Sequence, residues 1–248
     1  MKFIDARCQI GRRMHPVAGQ PVTNEDVLEL MDRCGIEKAI AYHAIAKEAG
    51  MREGNEELVK ETANSDRFIR QWCAMPTTFG EFMTADELFA AMKDHNVTSL
   101  RLLPKTQGYS LRPYAIGKIM DNAAQCHVPV FLNLGEELSV EEAYDLCKAY
   151  PNVNFVFNNP GYGQNRYLAP VMEQCDNFYL GTANFVGHRS LRIFCNYFDA
   201  SRLVFDTGLP TGCATAAVSL IALSELSGEE RELIAHGNVE RLLGEVRL

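Results

Sequence analysis

Residues able to bind or react occur where short apolar segments of the chain end. The first segment, FIDARCQIG (3–11), carries Asp5, Arg7 and Gln9 at alternate positions, so in a strand all three are expected to point to one face. Arginine is a permanent cation whose planar fork of donors suits carboxylates and phosphates, and a glutamine amide can both donate and accept. This segment therefore predicts a surface that binds a small anion.

Further polar residues stand at the ends of later apolar segments or in the loops that follow them. Any one of these residues is typical of a strand end that meets water. Because several amides and charges converge, the whole set is better explained as a pocket for a small polar or anionic ligand, such as a carboxylate or a sugar acid. The residues predicted to line it, besides Arg7 and Gln9, are Arg101, Lys105, Asn133, Asn159, Asn184 and His188.

Catalysis at such a pocket would need a proton carrier. His43 ends the second apolar segment, and an imidazole has a pKa suited to acid–base work. Glu136 and Asp206 are the carboxylate candidates at the ends of the fifth and eighth segments. A structural role for His43 is the alternative interpretation, since a lone histidine is more often structural.

The elements that would position these residues alternate regularly. Helical segments with capping signals, at Thr23, Thr84 and Ser139, separate eight apolar runs. Alternation of this kind predicts a parallel sheet covered by helices, and eight units match a single (β/α)8 TIM barrel over residues 1–248. An open doubly wound sheet is less well supported, because no glycine-rich turn follows the first strand. The predicted strands are 2–8, 38–44, 68–76, 97–104, 128–134, 153–159, 178–184 and 202–208.

Composition excludes several functional classes. The net charge is −8 and no run of Lys or Arg exceeds two residues, which argues against a nucleic-acid partner. No apolar run approaches the ~20 residues of a membrane span. The eight cysteines are scattered without CxxC spacing. With no secretory signal in view, these free thiols predict a cytoplasmic protein.

Several motifs together resemble the amidohydrolase superfamily, in particular its amidohydrolase-2 group of metal-dependent barrel hydrolases and decarboxylases. FIDARCQIG has the frame of the family's first-strand Asp-x-His-x-His motif. The later segments VPVFLNLGE, YPNVNFVFNNPGYG, RLVFDTGLP and HGNVERLLG are similar, in order and spacing, to its strand-five, strand-six, strand-eight and closing-helix motifs. The resemblance covers nearly the whole chain and implies the same barrel.

The metal ligands that the resemblance implies are replaced in this sequence. Arg7 and Gln9 stand at the two first-strand histidines, Asn133 and Asn159 at the strand-five and strand-six histidines, and Gly208 at the strand-eight aspartate. Arginine cannot coordinate a divalent cation, and amides are weak zinc ligands without anionic company. We therefore expect no catalytic metal and no other cofactor.

Three functions remain open. The first is a metal-free hydrolase or lyase that acts on, or binds, a small anionic metabolite. The second is a non-catalytic barrel that serves as a binding or assembly protein, and the third is a conventional metal hydrolase. The deciding feature is whether Arg7 holds a ligand or only forms an internal salt bridge with Asp5 or Asp206. A homodimer is compatible with all three, since barrels of this type often dimerise.

Overall fold

The computed structural model describes residues 1–163 and 165–248, which contain eight parallel strands. Each strand pairs with the next one along the chain. The strands are β1 (Phe3–Ile10), β2 (Ile36–His43), β3 (Phe68–Ala74), β4 (Ser99–Leu102), β5 (Val130–Asn133), β6 (Phe155–Asn158), β7 (Phe178–Gly181) and β8 (Leu203–Val204).

The last strand region returns to the first and closes the barrel. The Ala6 N–H donates to the Phe205 carbonyl at 2.9 Å, and the Gln9 N–H donates to the Leu209 carbonyl at 2.9 Å. β8 is shorter than predicted because the Asp206 N–H donates to the Thr182 side chain in place of a backbone carbonyl of the β7 segment, and the Phe205 N–H, on the side facing β1, donates to the Ile234 carbonyl. The predicted (β/α)8 barrel is confirmed.

Helices separate consecutive strands and cover the outside of the barrel. The predicted caps are present: Thr23, Thr84 and Ser139 each form a capping box at a helix start. None of the helices in the described ranges is long and apolar enough to cross a membrane. The helices are α1 (Asn24–Cys34), α2 (Ala44–Glu48), α3 (Met51–Glu61), α4 (Ala85–Asp94), α5 (Pro104–Gln107), α6 (Pro113–Gln125), α7 (Val140–Ala149), α8 (Asn165–Gln174), α9 (Ser190–Phe198), α10 (Ala214–Ala222), α11 (Gly228–Glu232) and α12 (Asn238–Gly244).

The barrel interior has an apolar part and a polar part. The apolar part is sealed by Val239 and Leu242 of α12, a helix whose Glu240 bonds to Lys2 just before β1. It therefore lies at the amino-terminal end of the strands, and it includes Ile4, Ala6, Ile40, Phe131, Val156, Tyr179 and Val204. One step further along the same strands the inward residues become polar, which places the polar part towards the carboxyl-terminal end.

A bulge in β1 changes one prediction about the first motif. The pairing with β2 runs from Asp5–Ala39 directly to Cys8–Ala41, so two residues of β1, Ala6 and Arg7, lie opposite one residue of β2. Ala6 belongs to the interior apolar cluster, and alternation therefore turns Asp5 to the other face. The prediction that Asp5, Arg7 and Gln9 share one face is wrong for Asp5.

Candidate functional site

Arg101 lies at the centre of the polar part of the barrel. It is fully buried on β4 and donates to the side-chain oxygens of Gln71 at 2.7 Å, Asn133 at 3.1 Å and Asn158 at 3.0 Å. Its guanidinium also lies 4.7 Å from the ring centroid of Tyr42. Burial lowers the pKa of Arg101. We call Arg101 and its three amide partners the arginine network.

The arginine network fixes the direction of its amides. A guanidinium has donors only, so each amide must turn its oxygen towards Arg101 and its NH2 group away. The Asn133 NH2 group consequently donates to Glu136 at 2.8 Å, and that of Asn158 donates to Asp206 at 2.9 Å. The network thereby presents hydrogen-bond donors to its surroundings, a property that favours anionic partners.

Arg7, in contrast, is a cation with few partners. Its Nε atom lies 3.5 Å from Asp206 Oδ2, which is an ion pair without hydrogen-bond geometry, and its side chain is 11% exposed. Gln9, which pairs in register with Tyr42 and is 7% exposed, holds its Nε2 group without an acceptor. Within residues 1–163 and 165–248, the Arg7 guanidinium forms no hydrogen bond, and the buried donors of both residues remain available.

Asp206 is held from several sides beneath Arg7. It is fully buried and accepts hydrogen bonds from the Asn158 side chain and from the Ala183 N–H. Gly181 makes room for it, because a Cβ there would lie 2.8 Å from Asp206 Oδ2. Burial raises the pKa of Asp206 and outweighs the opposing effect of Arg7. Burial therefore favours the protonated form of Asp206.

The side chains around the arginine network form with it what we call the cluster: Tyr42, Arg7, Gln9, Asp206, Glu136 and Lys47. Glu136 forms an ion pair with Lys47 at the outer side of this cluster. Its carboxylate accepts from Lys47 Nζ and from the Asn133 amide. Burial opposes its ionisation, but Lys47, Asn133 and the charge of Arg7 together lower its pKa. Glu136 is therefore a poor base, although sequence analysis proposed it as a proton carrier.

Asp5 lies in the seam between β1 and the β8 region and has no ion pair with Arg7 there. Its carboxylate accepts from the Thr207 N–H at 2.8 Å, from Thr207 Oγ1 at 2.5 Å and from the Arg7 backbone N–H at 3.1 Å. Burial raises its pKa to about 7 despite these bonds. Of the two carboxylates predicted as partners of the Arg7 side chain, Asp206 is the one that pairs with it.

His43 lies outside this cluster. Its neighbour Tyr42 faces Arg101, so alternation turns His43 towards the helices. Its Nδ1 accepts from the Ile45 N–H at the start of α2, and its Nε2 lies 3.3 Å from Glu61. His43 thus has the contacts of a helix cap. Neither Ile45 nor Glu61, its two partners, belongs to the predicted site, so these contacts do not support its predicted catalytic role.

The remaining predicted residues, Lys105, Asn159, Asn184 and His188, lie in the segments that follow β4, β6 and β7. Lys105 is exposed beside a cavity of about 530 Å³ between α5 and α7. His188 is exposed beside another cavity, of about 320 Å³, between the start of α9 and the end of α10. Asn184 donates to Asn159 at 2.7 Å in the neighbouring loops. Asn159 lines a cavity of about 550 Å³ together with Glu136.

The cluster contains four residues that the sequence did not predict: Tyr42, Lys47, Gln71 and Asn158, the neighbour of the predicted Asn159. Gln71 could have been found, because it is a polar residue in the middle of a buried strand and such residues need a partner. Tyr42 and His43 are adjacent at a strand end, so only the register decides which of them faces inward. Lys47 belongs to α2, a five-residue helix that is too short to show a clear hydrophobic periodicity in the sequence.

Sequence comparison places the chain in a family. The sequence model of the amidohydrolase family, Amidohydro_2, matches residues 12–244. The chain belongs to the amidohydrolase family. No curated protein matches it.

Solved structures of low sequence identity share the whole barrel. They include 2,6-dihydroxybenzoate decarboxylase from Rhizobium (15% identity, 98% of both chains covered, TM-score 0.73). A putative 2-pyrone-4,6-dicarboxylic acid hydrolase from Pseudomonas putida has 14% identity over 98% of this chain and 97% of its own, with a TM-score of 0.73. A dihydroxybenzoic acid decarboxylase from Polaromonas with bound manganese has 16% identity over 98% and 97%, with a TM-score of 0.71. These similarities show the fold.

The side chains at the centre of this barrel do not fit a divalent cation. Arg7 Nη2 lies only 2.1 Å from where a Cβ on Gly208 would stand, so the guanidinium fills the space that a longer side chain at 208 would need. In the described parts of the chain, no three His, Cys, Asp or Glu side chains come together in a group able to hold a metal. A guanidinium and amide NH2 groups repel a cation and cannot coordinate it.

Proposed function

We propose that this amidohydrolase-family barrel binds a small carboxylate at the carboxyl-terminal end of its strands, with Arg7 as the counter-ion and without a divalent cation. The ligand class is a small organic acid, including sugar acids. The barrel acts on it as a hydrolase or a lyase.

The observation that carries the proposal is the contrast between two arginines. Arg101 donates hydrogen bonds to three amide oxygens. Arg7 has a single ionic partner, Asp206, without hydrogen-bond geometry, and Asp206 already accepts a hydrogen bond from Asn158. A buried donor without an acceptor costs about 1–3 kcal/mol. A carboxylate would supply acceptors in the bidentate geometry that guanidinium prefers, and the Gln9 amide could donate to the same ligand.

The same donors suit chemistry as well as binding. Hydrogen-bond donors held in place before reaction stabilise the oxyanions that develop in hydrolysis or in carbon–carbon cleavage. Asp206 is the proposed proton carrier, because its raised pKa allows it to hold a proton nearer to neutrality than an exposed aspartate does. The decarboxylases and the hydrolase of similar fold, whose names refer to carboxylic acids, agree with this class of ligand.

A non-catalytic binding barrel is the second candidate, and one observation favours it. Asp206 is fully buried, and both of its oxygens accept hydrogen bonds. To exchange a proton with a ligand, Asp206 requires Arg7 to move aside. Without that movement the site would bind an acid and release it unchanged.

A thermal-shift screen with carboxylates and sugar acids tests the proposed binding. A ligand at 100 times its Kd should add about 2.7 kcal/mol of stability to the wild-type protein. Arg7→Met should lose this stabilisation, whereas Arg12→Met, which removes an exposed arginine a few residues away, should keep it. Equal stabilisation of both variants would refute the role of Arg7.

Turnover separates the two candidate functions. Each acid found in the screen is incubated with wild type and with Asp206→Asn, and products are followed by mass spectrometry. Product formation that Asp206→Asn abolishes supports the hydrolase or lyase. Binding without product for every ligand of the screen supports the non-catalytic barrel.

A further inference from the structure

We infer that Lys47 and Asn133 form a second anion subsite, which Glu136 occupies in the free protein, and that a ligand with two acidic groups displaces Glu136 from it. The inference rests on the proposed function and extends it, because it names dicarboxylates as the ligand class. Glu136 would then be an internal stand-in for the ligand's second carboxylate.

The contacts of Glu136 are those of a bound anion. One oxygen accepts from Lys47 Nζ and the other accepts from the Asn133 amide at 2.8 Å. The subsite therefore holds a carboxylate between a cation and an amide donor, in the manner of a ligand site. Arg101 donates to Asn133 of the subsite and to Asn158, and Asn158 in turn donates to Asp206, the ion-pair partner of Arg7. One hydrogen-bonded network therefore joins the two anion positions, and the charge of Arg7 favours the ionised form of Glu136 and so contributes to its lowered pKa.

The donor direction of Asn133 is fixed independently of Glu136. Arg101 donates to Asn133 Oδ1 at 3.1 Å and is itself fully buried. If Glu136 left, the Asn133 NH2 group would still point into the subsite, since turning it would set two donors against each other. The subsite is thus preorganised for an acceptor and does not depend on the residue that fills it.

Glu136 has both the exposure and the space to leave. Its side chain is 39% exposed and that of Lys47 is 24% exposed, so this ion pair is reachable from solvent. Glu136 lines the cavity of about 550 Å³ shared with Asn159, into which a changed rotamer can carry its carboxylate. It also follows Gly135, whose φ of +75° marks a sharp turn just before it.

Charge determines which ligands gain from this arrangement. A monocarboxylate that binds Arg7 leaves Glu136 in place and approaches another anion. A dicarboxylate neutralises both Arg7 and Lys47 and sends Glu136 into water, where a carboxylate is well solvated. The site should consequently prefer dicarboxylates over matched monocarboxylates.

Calorimetric titration with acid pairs tests the inference, using malonate, succinate and glutarate against acetate, propionate and butyrate. Wild type should bind at least one dicarboxylate about tenfold more tightly than its monocarboxylate match. Glu136→Gln should widen this ratio by about a further tenfold, because the competing charge is gone. Lys47→Met should abolish the preference and leave monocarboxylate binding intact.

Two controls match these variants. Glu141→Gln removes a carboxylate that lines the same cavity as Glu136, and Lys118→Met removes an exposed lysine of α6. Both should leave the ratio unchanged. Glu136→Ala and Lys47→Gln repeat the test if a first variant unfolds, as judged by its melting temperature without ligand.

Three results would overturn the inference. If Glu136→Gln and Glu141→Gln strengthen both acid classes equally, the effect is only long-range charge. If Lys47→Met keeps the dicarboxylate preference, Lys47 is not the second anchor. In either case Arg7-dependent binding of monocarboxylates would leave the proposed function standing, whereas binding that Arg7→Met does not weaken overturns both proposals.

Discussion

Replacing Asp5 with Asn should change how the stability of the protein depends on pH. Asp5 has a pKa of about 7 in the folded protein and 3.8 as its ordinary value, so folding favours the protonated form. Below about pH 4 the carboxyl is protonated in both states and costs nothing. As the pH rises towards 7 the unfolded chain ionises first, and the folded state loses relative stability.

The size of this effect follows from the two pKa values. A difference of about 3 pH units corresponds to about 4 kcal/mol, of which about 2.5 kcal/mol is lost between pH 5 and pH 8. Asn keeps the shape of Asp5 and can still accept from the Thr207 and Arg7 N–H groups, but it does not titrate. Between pH 5 and pH 8, the free energy of unfolding of Asp5→Asn should therefore rise by about 2.5 kcal/mol relative to that of wild type.

Urea unfolding at pH 5, 6, 7 and 8 measures the effect for both proteins. Asp94→Asn, which changes an exposed aspartate at the end of α4, is the matched control and should run parallel to wild type. If the curves of wild type and Asp5→Asn are parallel as well, Asp5 is ionised in the fold without penalty. The account of the buried seam between Asp5 and Thr207 would then be wrong.

Three further predictions concern the centre of the barrel. Arg101→Met leaves three buried amide oxygens without their donor. It should lower the free energy of unfolding, measured with urea, by about 3–5 kcal/mol, and a loss below about 1 kcal/mol would contradict the central role of the arginine network. Gly208→Ala adds a Cβ at a φ of +72° and against Arg7 Nη2, so it should cost about 1–2 kcal/mol and weaken carboxylate binding; unchanged binding would show that Arg7 need not occupy its observed position. Treatment with EDTA should change neither the melting temperature nor the carboxylate affinity, and a fall in either of these would indicate a bound metal. Elemental analysis should find less than one equivalent of zinc, manganese or iron.

The fold was largely predictable because its signals are local. Thr23, Thr84 and Ser139 each carry the partner of their capping box three residues away, so a short window of sequence contains the whole interaction. The strand runs show the continuous apolar character of a buried parallel sheet. Both kinds of signal can be recognised in the sequence without knowledge of the tertiary structure.

The site was less predictable because its contacts are long-range. The position of Asp5 depends on a bulge and on Thr207, 202 residues away, and a parity argument along one strand cannot include either. The pairing of Arg7 with Asp206 was one of the options that sequence analysis left open, since a buried cation needs an anion nearby. Which of Tyr42 and His43 faces inward is set by the register of β2 in the barrel, where Tyr42 pairs with Gln9.

The most direct test of the central claim is a crystal structure of the protein with the tightest-binding carboxylate from the thermal-shift screen, collected with anomalous data for first-row metals. Carboxylate oxygens are expected within hydrogen-bond distance of the Arg7 guanidinium and the Gln9 amide. No anomalous peak is expected between the ligand and the barrel. A divalent cation at the position of the Arg7 guanidinium, or a ligand bound away from Arg7, would contradict the central claim.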